Sequence, residues 1–353
     1  MFDSFGFETL TAPQAALWLA ILIGVTFGIL AQITRFCFRR SLVGADRKQA
    51  MGVWMTALAV AVLGTQGAVT AGWISFANHR FMSTELPALA IVIGGLMFGA
   101  GMVLTRGCIS RLSVLTGSGN LRAALVLVVF AVIAQATLRG VLAPLRLSLG
   151  SITLSLDSVA LPGPPLLWAG LIAVIALTVA LRSGNRASML VLAALLGALV
   201  PLGWVGTGYI LLDDFDPIAM ESLSFTSAGS DALFFIVASS AISATFGAGL
   251  IGAVVLGGLI SSLIRREFMW ESFHSPRETG RYMSGAALMG VGGVLAGGCT
   301  VGAGLSGVPT LSLAAILAIA SIAVGGLLAH RLLNAGSSGR AAPATRPATS
   351  PAK

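Results

Sequence analysis

Nine apolar runs, eight close to the length of a membrane crossing and one markedly longer, follow one another along this 353-residue chain. They cover residues 13–38, 51–71, 87–104, 121–141, 166–181, 187–205, 231–264, 283–298 and 311–333. A helical crossing takes about 20 consecutive apolar residues, and lipid tolerates only segments that satisfy their own backbone hydrogen bonds. The runs therefore predict an all-α polytopic membrane protein of about nine transmembrane helices. Composition agrees, because 56% of residues are hydrophobic and only 10% are charged, too few for the surface of a soluble domain. The 44 glycines show no three-residue period, which excludes a collagen-like chain and suits close helix packing and broken helices.

Charge then orients the runs. Basic residues gather after the first run (Arg35, Arg39, Arg40, Arg47, Lys48) and around the end of the third (Arg106, Arg111, Arg122). They recur at Arg182 and Arg186, and again at Arg265, Arg266, Arg277 and Arg281. Basic loops stay on the cytoplasmic side. The predicted placement is a bacterial inner (plasma) membrane, with the N-terminus, bearing Asp3 and Glu8, periplasmic and the C-terminus cytoplasmic. The acidic loop with Asp213, Asp214, Asp216 and Glu221 falls outside, where it reads as a solvated loop. The net charge of +8 thus marks topology, and no nucleic-acid partner is expected. No basic n-region opens the chain, so a cleavable signal peptide is not expected. Residues 1–333 read as one transmembrane domain, and 334–353, rich in Ala, Ser, Pro, Arg and Thr, as a disordered cytoplasmic tail. The run 231–264 is long enough for two pieces, and Thr245-Phe246-Gly247-Ala248-Gly249 is where it would break.

An internal repeat organises these runs. Phe98-Gly99-Ala100-Gly101-Met102-Val103-Leu104-Thr105-Arg106-Gly107-Cys108 aligns with Met289-Gly290-Val291-Gly292-Gly293-Val294-Leu295-Ala296-Gly297-Gly298-Cys299. Each copy leads into a Gly/Ser-rich stretch and then an apolar helix. The charge pattern has the copies entering from opposite sides, the mark of an inverted repeat that brackets a site near the midplane. The halves span roughly 14–143 and 231–333, with linking helices in 165–205. Glycine-mediated helix packing would produce a similar pattern on its own.

The chain has three cysteines, Cys37, Cys108 and Cys299, with no CxxC pair and no Cys/His spacing, so neither a disulfide framework nor a zinc site is indicated. His79, His274 and His330 are scattered, no glycine-rich motif follows a strand, and no cofactor or metal is expected. A single buried cysteine in a membrane helix is ordinarily a small packing residue. Here Cys108 and Cys299 occupy equivalent repeat positions, each where an apolar segment breaks at glycine: Gly107 before one, Gly298 before the other. Such breaks must line a cavity or be buried in protein, and the N–H groups of a half-helix suit an anion. A neutral thiol is a weak donor and a soft acceptor that can touch a soft anion without trapping it. Arg106 and Arg111 flank Cys108, and Arg35 and Arg39 flank Cys37. Arginines at helix ends usually mark topology, while some of these would draw anions in. No carboxylate stands out inside the membrane, which leaves no evident carrier for proton or sodium coupling.

These motifs resemble the YeeE/YedE family of bacterial membrane proteins. The resemblance rests on Arg35-Phe36-Cys37 with Ala45-Asp46, and on Leu104-Thr105-Arg106-Gly107-Cys108-Ile109-Ser110-Arg111 with Gly119-Asn120-Leu121-Arg122. The longest match is Leu295-Ala296-Gly297-Gly298-Cys299-Thr300-Val301-Gly302-Ala303-Gly304-Leu305-Ser306-Gly307. It spans nearly the whole chain except the tail. It implies uptake of thiosulfate or a related small sulfur-containing anion, passed along an hourglass-like path by Cys37, Cys108 and Cys299. Cys37, Cys108, Cys299, Arg106, Gly107 and Gly298 are then the substrate-binding residues, with a cytoplasmic sulfur-accepting protein as a possible partner and the lipid bilayer as the setting. The chain reads as a transporter and not an enzyme. A membrane thiol–disulfide oxidoreductase, a transporter of selenium or another sulfur species, and a purely structural role for the cysteines remain as alternatives.

Overall fold

A computed structural model describes residues 11–213 and 216–338. The expectations for the N-terminal segment before Thr11, for Asp214 and for the tail beyond Ser338 fall outside those residues. Helix α1 (Ala12–Thr34) opens where the Thr11 N–H donates to Gln14 Oε1 at 3.3 Å, with Pro13 in the first turn, where no backbone donor is needed. A short α2 (Phe38–Val43) and α3 (Arg47–Thr70) follow, then α4 (Ala88–Leu104), α5 (Ile109–Gly117) and α6 (Leu121–Arg139). Short α7 (Ala143–Gly150), α8 (Pro165–Leu181) and α9 (Ala187–Val205) lead to α10 (Thr226–Ala238), α11 (Phe246–Ile264), α12 (Pro276–Leu295) and α13 (Leu313–Ser338). Strand content among the described residues is one two-residue pair, β1 (Glu85–Leu86) antiparallel to β2 (Leu154–Ser155).

Eight stretches of the described residues are long and apolar enough to cross a membrane, and α8 and α10 are shorter apolar helices. The protein is thus an all-α polytopic membrane protein. The run 231–264 is two helices, because the Thr245 hydroxyl accepts the Ala248 N–H at 3.3 Å and starts α11 anew after the polar turn that ends α10. The last helix continues past Asn334 to Ser338. Leu167, Leu181 and Ile264 are among the large apolar side chains turned outward, as a lipid-facing surface requires.

Glycine sets the helix crossings. A Cβ on Gly24 or Gly28 of α1 would press into the α11 backbone near Leu250 and Val254, so α1 and α11 run parallel and nearly touch. Gly95 and Gly99 of α4 meet Ser321 and Ile322 to Gly326 of α13 in the same parallel sense. Gly94 and Gly101 of α4 instead face Ala296 and Gly285 of α12 respectively, so α4 and α12 are antiparallel. The two helices that end in the aligned Gly-Cys motifs therefore approach their breaks from opposite directions.

One end of the bundle is the arginine-rich face. There Arg122 pairs with Glu271 and, at 3.3 Å, with Glu278, tying the start of α6 to the start of α12. Gln32 Nε2 donates to Glu267 Oε2 at 3.3 Å, and Asn185 Nδ2 to the Gln49 carbonyl at 2.9 Å. Arg40 pairs with Asp46, and the guanidinium holds that carboxyl below the usual range. The opposite face carries β1, β2 and the segment 216–225.

Candidate functional site

The three cysteines share one local construction. Helix α1 ends at Arg35, left-handed at φ 52°, with the Phe36 N–H reaching back to the Ala31 carbonyl at 3.0 Å. Two residues after Arg35, Cys37 caps α2. Helix α4 ends the same way: Arg106 is left-handed at φ 58°, and two residues later Cys108 caps α5. Helix α12 ends at Gly297, φ 73°, and Cys299 caps a π-wound helix, Thr300–Gly307. Glycine adopts that backbone freely, whereas an arginine there is held by its surroundings. The Gly/Ser-rich stretches that follow the two breaks, 110–120 and 302–310, contain most of α5 and most of the π-wound helix.

Packing brings the three breaks together. Cys37, Cys108 and Cys299 are free thiols and buried, at 7%, 1% and 0% exposure. The side chains of Cys37 and Cys108 are within hydrogen-bonding reach of each other, and Cys108 Sγ lies 3.2 Å from Ser110 Oγ. Arg111 Nη1 donates to the Ala31 carbonyl at 3.3 Å and to Gln32 Oε1 at 3.1 Å, which draws α5 against the end of α1. Thr105 Oγ1 sits 3.0 Å from the Gly101 carbonyl and 2.9 Å from the Gly107 carbonyl, fixing the second break. In the third break the Gly302 N–H donates to Cys299 Sγ at 3.3 Å. The next residue, Thr300, turns its hydroxyl toward Cys108. That oxygen is fully buried and has no nitrogen or oxygen partner among the described residues. An orphaned buried hydroxyl calls for an explanation.

The glycines before the cysteines are close-fitted. A Cβ on Gly298 would lie 2.9 Å from the Ala303 backbone nitrogen, and one on Gly107 would lie 3.3 Å from Leu112 Cδ2. Arg106 is exposed at the arginine-rich face and supplies the left-handed turn; Arg111 is the arginine packed beside the two thiols. Arg111 flanks Cys108 in the sequence, yet nothing in its own segment shows that it folds back onto α1.

A cavity of about 720 Å³ opens from the face opposite the arginine-rich one and reaches Gly302, the donor to Cys299. Its lining includes His79, Arg80, Trp204, Glu221, Ser227 and Ser306. Here the structure corrects two expectations. Glu221 belongs to no freely solvated loop: it is half-buried in this cavity, because segment 216–225 dips into the bundle until Phe225 packs on Phe27, ring centroids 5.2 Å apart. His79 likewise lines the cavity, and burial, with Arg80 beside it, holds its imidazole down to about 4, hence neutral at pH 7. No group of three His, Cys, Asp or Glu able to hold a metal occurs among the described residues.

A bundle of broken helices with opposed breaks, meeting at buried polar groups below a cavity, defines a membrane transport protein. The family model described as Sulphur transport matches residues 33–328, and the chain belongs to that family. It is a transporter of sulfur-containing anions. The thiosulfate transporter TsuA of Escherichia coli K12 is 24% identical over 312 residues, covering 81% of this chain and 85% of its own length. The thiosulfate transporter TsuA of Spirochaeta thermophila is 25% identical over 324 residues, covering 86% of this chain and 94% of its own.

Proposed function

We propose that the protein takes up thiosulfate, or a related small sulfur-containing anion, through the bacterial inner membrane by way of its three thiols. The observation that carries this reading is the convergence of the three breaks. Cys108 lies beside Cys37 on one side and faces the Thr300 hydroxyl, next to Cys299, on the other. The order along the path is then cavity, Cys299, Cys108, Cys37. The cavity face is periplasmic, together with the N-terminus, and the arginine-rich face and C-terminus are cytoplasmic, as basic loops prefer. Thiols and backbone N–H groups at the starts of α5 and of Thr300–Gly307 offer many weak contacts, which lets an anion both enter and leave. Gly107 and Gly298 keep those helix starts close to the thiols. Arg106 and Arg111 attract the anion toward the cytoplasmic face, where a sulfur-accepting protein would receive it.

The reading is tested in a strain lacking its own sulfur-anion uptake, supplied with this protein and given thiosulfate, sulfate or sulfite as sole sulfur source. Growth on thiosulfate is expected, and rescue by sulfate alone would refute the substrate assignment. A second measurement isolates the Thr300 hydroxyl. Thr300→Val keeps the shape and removes a buried hydroxyl whose only polar neighbour among the described residues is the weakly bonding Cys108 thiol, so stability should hold or rise by about 1 kcal/mol. Uptake should nevertheless fall about ten-fold, the loss of one hydrogen bond of about 1.4 kcal/mol to the passing anion. Unchanged uptake in a Thr300→Val protein of normal stability would remove the hydroxyl from the path.

A further inference from the structure

The 720 Å³ cavity holds a charge arrangement that the thiols do not use. Arg80 makes no ion pair and no hydrogen bond to a carboxylate among the described residues; its Cζ sits 4.9 Å over the adjacent Phe81 ring. It also borders a second cavity of about 570 Å³, across which the other cation is Arg146. Trp204 lines the first cavity too, is 3% exposed, and its Nε1–H has no partner among the described residues. Its ring is fixed edge-on against Phe76 and His79, with centroids 5.2 Å away in each case. Arg80, exposed to the cavity and with no carboxylate partner among the described residues, is the donor of an anion site, and the Trp204 ring forms the wall behind it.

Glu221 shares that cavity, and its position is built in. The Glu221 N–H donates to Thr207 Oγ1 at 2.9 Å, and the same hydroxyl lies 2.8 Å from the Glu221 carbonyl, so the backbone is pinned while the carboxyl faces the cavity. The charged and titratable groups around the carboxyl come from three elements. Arg80 and neutral His79 lie on the segment after α3, and Asp231 lies on α10, itself faced by Arg139 of α6. An ionised Glu221 beside Arg80 would offset the arginine's charge and repel an incoming anion.

We propose that Arg80, against the cavity wall formed by Trp204, is the entry site for a small sulfur oxyanion, and that this site fills only as Glu221 takes up a proton. This rests on the transport reading above and adds a proton requirement to its first step. The linkage is reciprocal: protonation favours the anion, and the anion favours protonation. Burial, with Asp231 nearby, pushes the Glu221 carboxyl up to about 7, against which Arg80 pulls only partly, so the switch falls in the working pH range.

The test is radiolabelled thiosulfate uptake by the purified protein in liposomes, with lumen pH fixed at 7 and outer pH set from 5.5 to 8.5. A carboxyl titrating near 7 is about nine-tenths protonated at pH 6 and about one-tenth at pH 8, so the initial rate should fall about ten-fold between them. Glu221→Gln should hold one rate over that interval, and Arg80→Gln should lower the rate at every pH. As a measurement without a variant, adding thiosulfate to the unmodified protein in weakly buffered detergent at pH 7.5 should draw protons from solution. Uptake by the unmodified protein that is flat from pH 5.5 to 8.5, with no proton drawn, overturns the proposal and leaves thiosulfate transport standing. No thiosulfate uptake at any pH overturns the transport reading and this proposal with it.

Discussion

Cys108→Ala is expected to lower the initial rate of thiosulfate uptake at least about 100-fold, with the protein still folded in the membrane. Cys108 is the middle thiol, in reach of Cys37, Ser110 and the side of Thr300 at once. On the proposed path, removing its sulfur would leave a gap between Cys37 and Thr300. A loss of about 2.7 kcal/mol at a single point on the path corresponds to that factor. The fold should survive, because the truncation deletes one small buried atom, and the helix break is held by backbone bonds and the Thr105 hydroxyl. Cys108→Ser keeps a hydroxyl that can donate, but oxygen is less polarisable and more strongly bound to Ser110, so an intermediate loss is expected. Uptake at matched membrane levels checks both. A Cys108→Ala protein within two-fold of the unmodified rate would reduce the cysteine to a packing residue. The same variants bear on the thiol–disulfide alternative, which predicts a trapped mixed disulfide when one of a reacting pair is removed.

Gly99→Val should prevent stable assembly of the bundle. A Cβ at Gly99 would lie 2.2 Å from the Ile322 carbonyl oxygen and 2.5 Å from the Gly326 nitrogen, both backbone atoms that no rotamer change can move. The α4–α13 crossing would have to open, and α4 carries the Cys108 break at its far end. Overpacking in a tight core costs about 1 to 3 kcal/mol, and the upper end applies where backbone meets backbone. The measurement is the thermal midpoint of the detergent-solubilised protein, or the folded yield where no transition is seen. Gly252 of α11 is the control, since a Cβ there meets nothing within 4 Å, and Gly252→Ala should leave the midpoint unchanged. An unchanged midpoint for Gly99→Val would mean that this crossing does not hold the bundle together.

Much of this protein is legible along the chain because lipid simplifies the physics. A helix that must satisfy its own backbone bonds shows itself as an apolar run, so the all-α membrane fold follows from runs such as 87–104 and 187–205. The likeness of Leu104–Cys108 to Leu295–Cys299 also reads directly, since glycine and cysteine recur at fixed spacing. The third member was harder to see. Cys37 stands two residues after a left-handed turn as the other two do, and Arg35-Phe36-Cys37 shares its Arg-x-Cys pattern with Arg106-Gly107-Cys108, though not with Gly297-Gly298-Cys299. What the letters do not spell is that the shared arginine is left-handed, the backbone state that glycine supplies in the third copy. The break in 231–264 reads ambiguously for a related reason: one hydroxyl cap at Thr245 ends an apolar run that hydropathy alone would continue.

By itself, then, the sequence determined the membrane, the helical class, the arginine-rich face and which three thiols to follow. These are local properties, set by hydropathy, charge and short motifs. Only the tertiary structure decided that Cys37 meets Cys108, that Arg111 reaches back to Gln32, and that the Thr300 hydroxyl is buried facing Cys108 with no nitrogen or oxygen partner among the described residues. It also drew Glu221, Arg80 and Trp204 from three separate segments around one cavity. Those groups lie up to 141 positions apart, from Arg80 to Glu221, and glycine-lined helix crossings bring them together. Proximity of that kind depends on how whole helices pack, and no window along the chain contains it.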